Sequence, residues 1–471
     1  MTGAFGTMDL CGVAALIHAG KASSREVTED CLKRIETWQP RVNAFVAVEA
    51  ETALAAARAA DEAQAQGRAL GPLHGVPLAH KDMYYRAGRP CTCGSKIRRD
   101  FVPGHDSTAL RRLAAAGALH LGPLCMSEFA FSPTGHNVHF GDTCNPWNPA
   151  HITGGSSSGS GAATAARLVY GALGSDTGGS IRLPAAFCGV SGVKPTWGRV
   201  SRYGAMGLSH SLDTVGPLAP SVRDCARLLQ AIAGPDDDDP TASRTPFPDY
   251  ETLLDGSAEG LRVGLPKDYY LDDADPEMRA ALAAAADVLR RQGATILEVA
   301  IPEHDLVGAF GALVIGVEAA TIHGPWMRTR PQDYSAQLAA RLRSGYAVPA
   351  TRYLEALNLR GPLLARFTEA VFAKADLVLA PVFSGAAPSR AETDVKDGPE
   401  MLATLGRLTR LTRPANYLGL PAVSVPAGFS ATGLPLGLQL IGRPFDEATL
   451  LRAGDAFQRA TDWHRRVPAS R

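Results

Sequence analysis

The chain has 471 residues, of which 45% are hydrophobic and 20% charged, so it can bury a large core and form one big domain or a few ordinary ones. Its 47 Lys and Arg balance its 47 Asp and Glu. That balance leaves no broad field to draw the protein to nucleic acid or an anionic membrane, and points to a small-molecule partner.

Ser23 to Glu26 fits a capping box and opens a helix carrying Val27, Cys31, Leu32 and Ile35. An Ala-rich helix follows across 50–66, so residues 1–66 are predicted to form a helical N-terminal layer. The stretch "CGVAALIHAG" follows Asp9 and not a basic segment, which argues against a signal peptide. No apolar run is read as a membrane span, and the cytoplasm is the expected compartment.

From Val76 short apolar runs alternate with helices: "VPLAH", a helix at 108–116, "ALHLG" and a helix near 161–169. The same alternation continues through "LRVGLP", a helix from Pro276 to Arg291, "ATILEVAIP", "DLVLAPV", "AVSVPAGF", "LGLQLIG" and a final helix at 447–460. This rhythm predicts an α/β fold with a largely parallel or mixed sheet, in a single large domain. Residues 305–365 lack strand rhythm and read as a helical insertion. "GPDDDDPTAS" (234–243) reads as a solvated acidic loop. The eight cysteines are scattered, and Cys91 and Cys93 lack zinc-site spacing, so reduced thiols without a metal are expected.

The stretch "HITGGSSSGSGAATAARLVYGALGSDTGGS" (151–180) demands a chemical reading. It is not a linker, because an apolar segment follows the first Gly/Ser turn at once. A phosphate loop would need a lysine where Ser160 stands. Gly155 to Gly159 satisfies G-x-S-x-G, but the Pro/Asn-rich "NPWNPAHIT" before it is no strand; Ser191 to Lys194 satisfies S-x-x-K without its partner motifs. A serine here could instead be activated by a lysine made neutral by burial, and "GVPLAHKD" sets Lys81 at the end of an apolar run. His136 and His139 lack metal-ligand helix spacing and read as loop or pocket-lining residues.

Together "GVPLAHKD", "GGSSSGSGAA" and "GSDTGGSIRLPAAFCG" resemble the amidase signature family, and the likeness continues through "GVKPTWGRVSRYG", "NYLGLPAVSVPAG" and "GLPLGLQLIGRPFDEATLL". The resemblance implies a Ser-Ser-Lys triad with Ser180 as nucleophile, Ser156 as bridge after a cis Gly155-Ser156 bond, and Lys81 as base. It also implies a mixed sheet sandwiched between helices with the catalytic core over 70–235 and the insertion at about 305–365 shaping the substrate pocket, an oxyanion hole from the amides of Thr177, Gly178, Gly179 and Ser180, an acyl-enzyme, and no cofactor. Asp176 and Arg182 are expected to support the site. Phe131 borders the pocket by resemblance, and Tyr85 and Trp326, with Tyr84, Ile322 and Leu359, are further candidates for an aromatic and aliphatic lining.

Within the family, one alternative is the glutaminase subunit of tRNA-dependent amidotransferases, which works with partner subunits and carries an acidic residue where this chain has Thr409. Lacking that countercharge, the chain reads as a free-standing amidase acting on small carboxamides, carbamates or anilides, able to form a homodimer and needing no nucleic acid. Arg360 is shared with the glutaminase subunit. A catalytically silent binding protein on the same scaffold is the remaining reading, disfavoured because all three reacting groups are present.

Overall fold

Ten strands form one sheet in the computed structural model, which describes residues 5–68 and 70–469. They are β1 (Pro77–Lys81), β2 (Leu119–Leu124), β3 (Ala172–Asp176), β4 (Ser191–Lys194), β5 (Thr214–Ala219), β6 (Arg262–Pro266), β7 (Thr295–Val299), β8 (Leu377–Pro381), β9 (Ala422–Phe429) and β10 (Pro435–Gly442). Their spatial order is β2-β1-β3-β5-β4-β9-β10-β8-β6-β7. The sheet is mixed: β1 runs parallel to β2 and β3, β6 to β7 and β8, and the central pairings are antiparallel. Helices cover both faces, so every residue of β1, β3, β4, β5, β8 and β10 is buried and these strands read as continuous small or apolar runs. The α/β single-domain expectation holds.

Before the sheet come the helices Leu10–His18, Ser24–Val42 and Ala50–Ala65; residues 1–4 of the expected N-terminal layer lie outside the described residues. Ser23 caps the second helix through the expected box, its Oγ accepting from the Glu26 amide while Glu26 accepts from the Ser23 amide. Pro426 interrupts β9, and the register with β10 shifts between Leu436 and Gly437, a bulge at a position where no N–H is available.

Residues 304–367 are almost wholly helical, in His304–Thr329, Ala336–Tyr346 and Ala350–Phe367. The first of these corrects the sequence reading, because it is long and apolar enough to cross a membrane by length and composition. Its apolar character has a packing cause. Gly345 of the following helix sits against Gly316, and Arg413 and Tyr417 press on Gly311, so several faces of this helix meet protein. The acidic loop is tied to the surface: Ser201 donates to Asp236, and the Arg202 amide to Asp239. All eight cysteines are free, six of them buried.

Candidate active site

Two turns and one strand end converge. β1 delivers Lys81 into the interior, where its side chain is 1% exposed. Its Nζ lies 2.7 Å from Ser156 Oγ and 2.9 Å from Ser175 Oγ. Burial pushes the amine down to about 7, against the pull of Asp213 and Asp176, so a large fraction is neutral near pH 7. A neutral Nζ has a lone pair that can take the Ser156 proton across the same contact.

Ser156 follows the expected cis Gly155-Ser156 bond and is fully buried. The turn carrying it lies hard against β3, because a Cβ at Gly174 would stand 2.7 Å from Ser157 Oγ. The neighbouring serines are spent on structure. Ser157 Oγ donates to the Ser175 carbonyl, Ser158 Oγ to Thr143, and Ser160 Oγ to the Leu173 carbonyl. The S-x-x-K match dissolves likewise: Ser191 Oγ accepts from Gln458, and Lys194 donates to its neighbour's carbonyl.

β3 ends in the second turn. Asp176, fully buried, receives the Gly179 amide at 2.7 Å, the Asn416 side chain at 2.8 Å and the Arg182 guanidinium at 3.1 Å. Burial alone would raise its pKa, but Arg182 and these donors overcome it and hold the carboxyl below its ordinary range. Thr177 Oγ1 donates to Asp213 at 2.6 Å, and Thr412 Oγ1 to the Gly178 carbonyl at 2.6 Å. Gly179 has φ of 129°, and a Cβ there would meet Thr412 Oγ1 at 2.3 Å, so only glycine fits. Ser180 emerges from this turn at the wall of a cavity of about 320 Å³ that Thr177 and Gly178 also line.

The geometry trims the expected oxyanion set. The Gly179 N–H is committed to Asp176, whereas the amides of Thr177, Gly178 and Ser180 make no hydrogen bond among the described residues. It also divides the expected pocket residues. Phe131 lines the cavity. Tyr85 does not: it packs against Phe101 and His105, with Arg98 over its ring. Trp326 stacks on Phe129 beside His323, away from the lining. Both aromatics are drawn into local clusters, the commoner fate of such side chains. Tyr84 donates to the Gly174 carbonyl beneath the site, and Ile322 and Leu359 are also absent from the lining. His136 pairs with Asp142 and Thr393, and His139 with Glu128.

Sequence reasoning missed Ser175 as the second partner of Lys81, Thr412 beneath the turn, and the opposite cavity wall. That wall carries Ile315, Leu405, Thr409, Arg341 and Arg413. Arg360 is turned elsewhere, donating to the Ser211 carbonyl at 3.0 Å. One signal was available: Arg341 and Arg413 have no acidic residue four positions away in either direction.

Residues 26–451 match the amidase family, described as Amidase. The chain belongs to this family. Its members act on carbon–nitrogen bonds, and the amidase fold is shared with solved structures across nearly the whole chain. One, from a vestigial protein complex bearing on the origins of an s-triazine catabolic enzyme, is 36% identical with a TM-score of 0.90, covering 96% of this chain and 98% of its own. The A subunit of the glutamyl-tRNA(Gln) amidotransferase from Thermotoga maritima is 31% identical with a TM-score of 0.78, covering 93% and 91%. The A subunit of the corresponding amidotransferase from Chloroflexus aurantiacus is 42% identical over 478 residues, 96% of each chain.

These amidase relatives overturn the expectation of a free-standing enzyme, and with it the expectation of a small molecule as sole partner, a homodimer and no nucleic acid. The free-standing reading rested on Thr409 and the absence of a nucleic-acid partner on the balance of 47 basic and 47 acidic residues, and neither one lost countercharge in a pocket wall nor a zero net charge decides what the outer surface of the chain assembles with.

Proposed function

We propose that this chain is the amide-hydrolysing A subunit of an amidotransferase that acts on glutamyl-tRNA(Gln), working in the cytoplasm with partner subunits and releasing ammonia from glutamine. The observation that carries this reading is its 42% identity to such a protein over 96% of both chains.

In this reading neutral Lys81 takes a proton from Ser156 while Ser156 takes one from Ser180. Ser180 Oγ then bonds to the amide carbon, and the free amides of Thr177, Gly178 and Ser180 receive the oxyanion, each donor being worth about 3 kcal/mol. The relay runs back as the C–N bond breaks, giving ammonia its proton and leaving an acyl-enzyme that water hydrolyses.

The test is ammonia release from glutamine by the chain co-expressed with the other subunits encoded by its own genome, with and without glutamyl-tRNA(Gln). The reading expects release that depends on Ser180 and is coupled to formation of glutaminyl-tRNA. Absence of ammonia in both conditions, from protein whose Ser180 reacts with a fluorophosphonate, would overturn it.

A further inference from the structure

The cavity beside Ser180 holds two guanidinium groups that no carboxylate among the described residues neutralises. Arg341, on the helix Ala336–Tyr346, lies with its Cζ 3.6 Å from the centre of the Phe131 ring and donates to the Phe131 carbonyl. Arg413, on the helix Arg413–Tyr417, donates to the Gly308 carbonyl at 3.2 Å and to Thr409 Oγ1. Among the described residues neither makes an ion pair and no acidic side chain lines the cavity.

Each guanidinium keeps most of its five N–H donors unused. Burial pushes Arg341 down to about 9, with the like charge of Arg413 adding to the effect, and burial lowers Arg413 too. Two close cations without counterions are costly to hold, and an anion between them relieves that cost. Arg presents a planar fork suited to a carboxylate.

We propose that Arg341 and Arg413 form a carboxylate clamp, so that the amide donor is recognised by a carboxylate at the end opposite its scissile amide and needs no ammonium group. This rests on the amide-hydrolysing reading of the Ser180 site. The donor class is a monoamide of a short dicarboxylic acid. Thr409 fits this class, because an acid at that position would neutralise Arg413.

The experiment compares kcat/KM of the full chain, in its complex, for glutaramate, glutamine and neutral glutaramide. Glutaramate should match or exceed glutamine and exceed glutaramide by about 30-fold or more, the scale of losing a buried hydrogen-bonded charge pair. In Arg413→Gln and Arg341→Gln the ratio of glutaramate to glutaramide should collapse towards one. Equal rates on glutaramate and glutaramide in the wild-type protein overturn the clamp, and this arm needs no variant to fold. Glutamine at least tenfold better than glutaramate also overturns it, while leaving the amidotransferase reading intact. Turnover of glutaramate with none of glutamine leaves the clamp standing and overturns glutamine as the donor.

Discussion

In the proposed relay Lys81 owes its basicity to the cost of burying an ammonium group, and that cost has two measurable consequences. Only the neutral amine can accept the Ser156 proton, so kcat/KM should climb as pH passes about 7 and level off above it. A profile without that rising limb would contradict Lys81 as base. The second consequence is thermodynamic. The folded pKa lies below the ordinary lysine value of 10.5, so between about pH 7 and 10.5 the unfolded chain binds more protons and stability rises with pH. Below about pH 7 the penalty is fully present, on the order of 5 kcal/mol. Lys81→Met should therefore be inactive yet melt higher relative to wild type at pH 6 than at pH 9. A melting difference independent of pH would show that the buried amine carries no such cost. Lys194, also buried and lowered to about 7, is present in both proteins and cancels from the comparison.

The turn Asp176–Ser180 is held from below by side chains from a distant segment, Thr412 and Asn416, and this decides which of its glycines can change. A Cβ on Gly178 would meet nothing nearer than Ile315 Cδ1 at 3.4 Å, whereas one on Gly179 would collide with Thr412. Gly179→Ala should cut kcat about 100-fold or more and destabilise the fold by about 1–3 kcal/mol, while Gly178→Ala keeps stability near wild type. Comparable melting temperatures for the two variants would sink this account. The contrast also marks where the sequence was readable. Lys81, Ser156 and Ser180 sit on local motifs that carry the family resemblance, and the roles proposed for them rest on it. The capping box at Ser23 and the helix Pro276–Arg291 were legible because their signals are contained within a few residues. Arg341 and Arg413 were barely so, because the lack of an acid four positions away is only a local hint and the missing partner shows fully when two remote helices face one cavity. Tyr85 and Trp326 failed oppositely: an aromatic side chain carries no mark saying whether it faces a pocket or another ring.

At the scale of the molecule, the sheet is two contiguous sets of strands, β2-β1-β3-β5-β4 from the first half of the chain and β9-β10-β8-β6-β7 from the second, joined where β4 pairs with β9. The alternation of runs and helices revealed the α/β class, but the pairing of β4 with β9, strands more than two hundred residues apart, leaves no local trace. The join is reinforced by buried polar contacts across it. Arg182 reaches Gln439 and Asn416, Arg199 pairs with Glu447 at 3.3 Å, and Gln458 bonds both the Val222 amide and Ser191. Separating the halves would strand these charges in an apolar interior, a cost of several kcal/mol for each buried pair broken, and expose the central edge of β4. The chain should accordingly unfold as one cooperative unit although it has 471 residues. Calorimetry is expected to show a single transition, and a fragment ending in the acidic loop, 1–243, should show no cooperative melting. A fragment that melts cooperatively, or a full chain with two resolved transitions, would mean that the halves are independent domains and that the Asp176 turn does not need the second half to hold its shape.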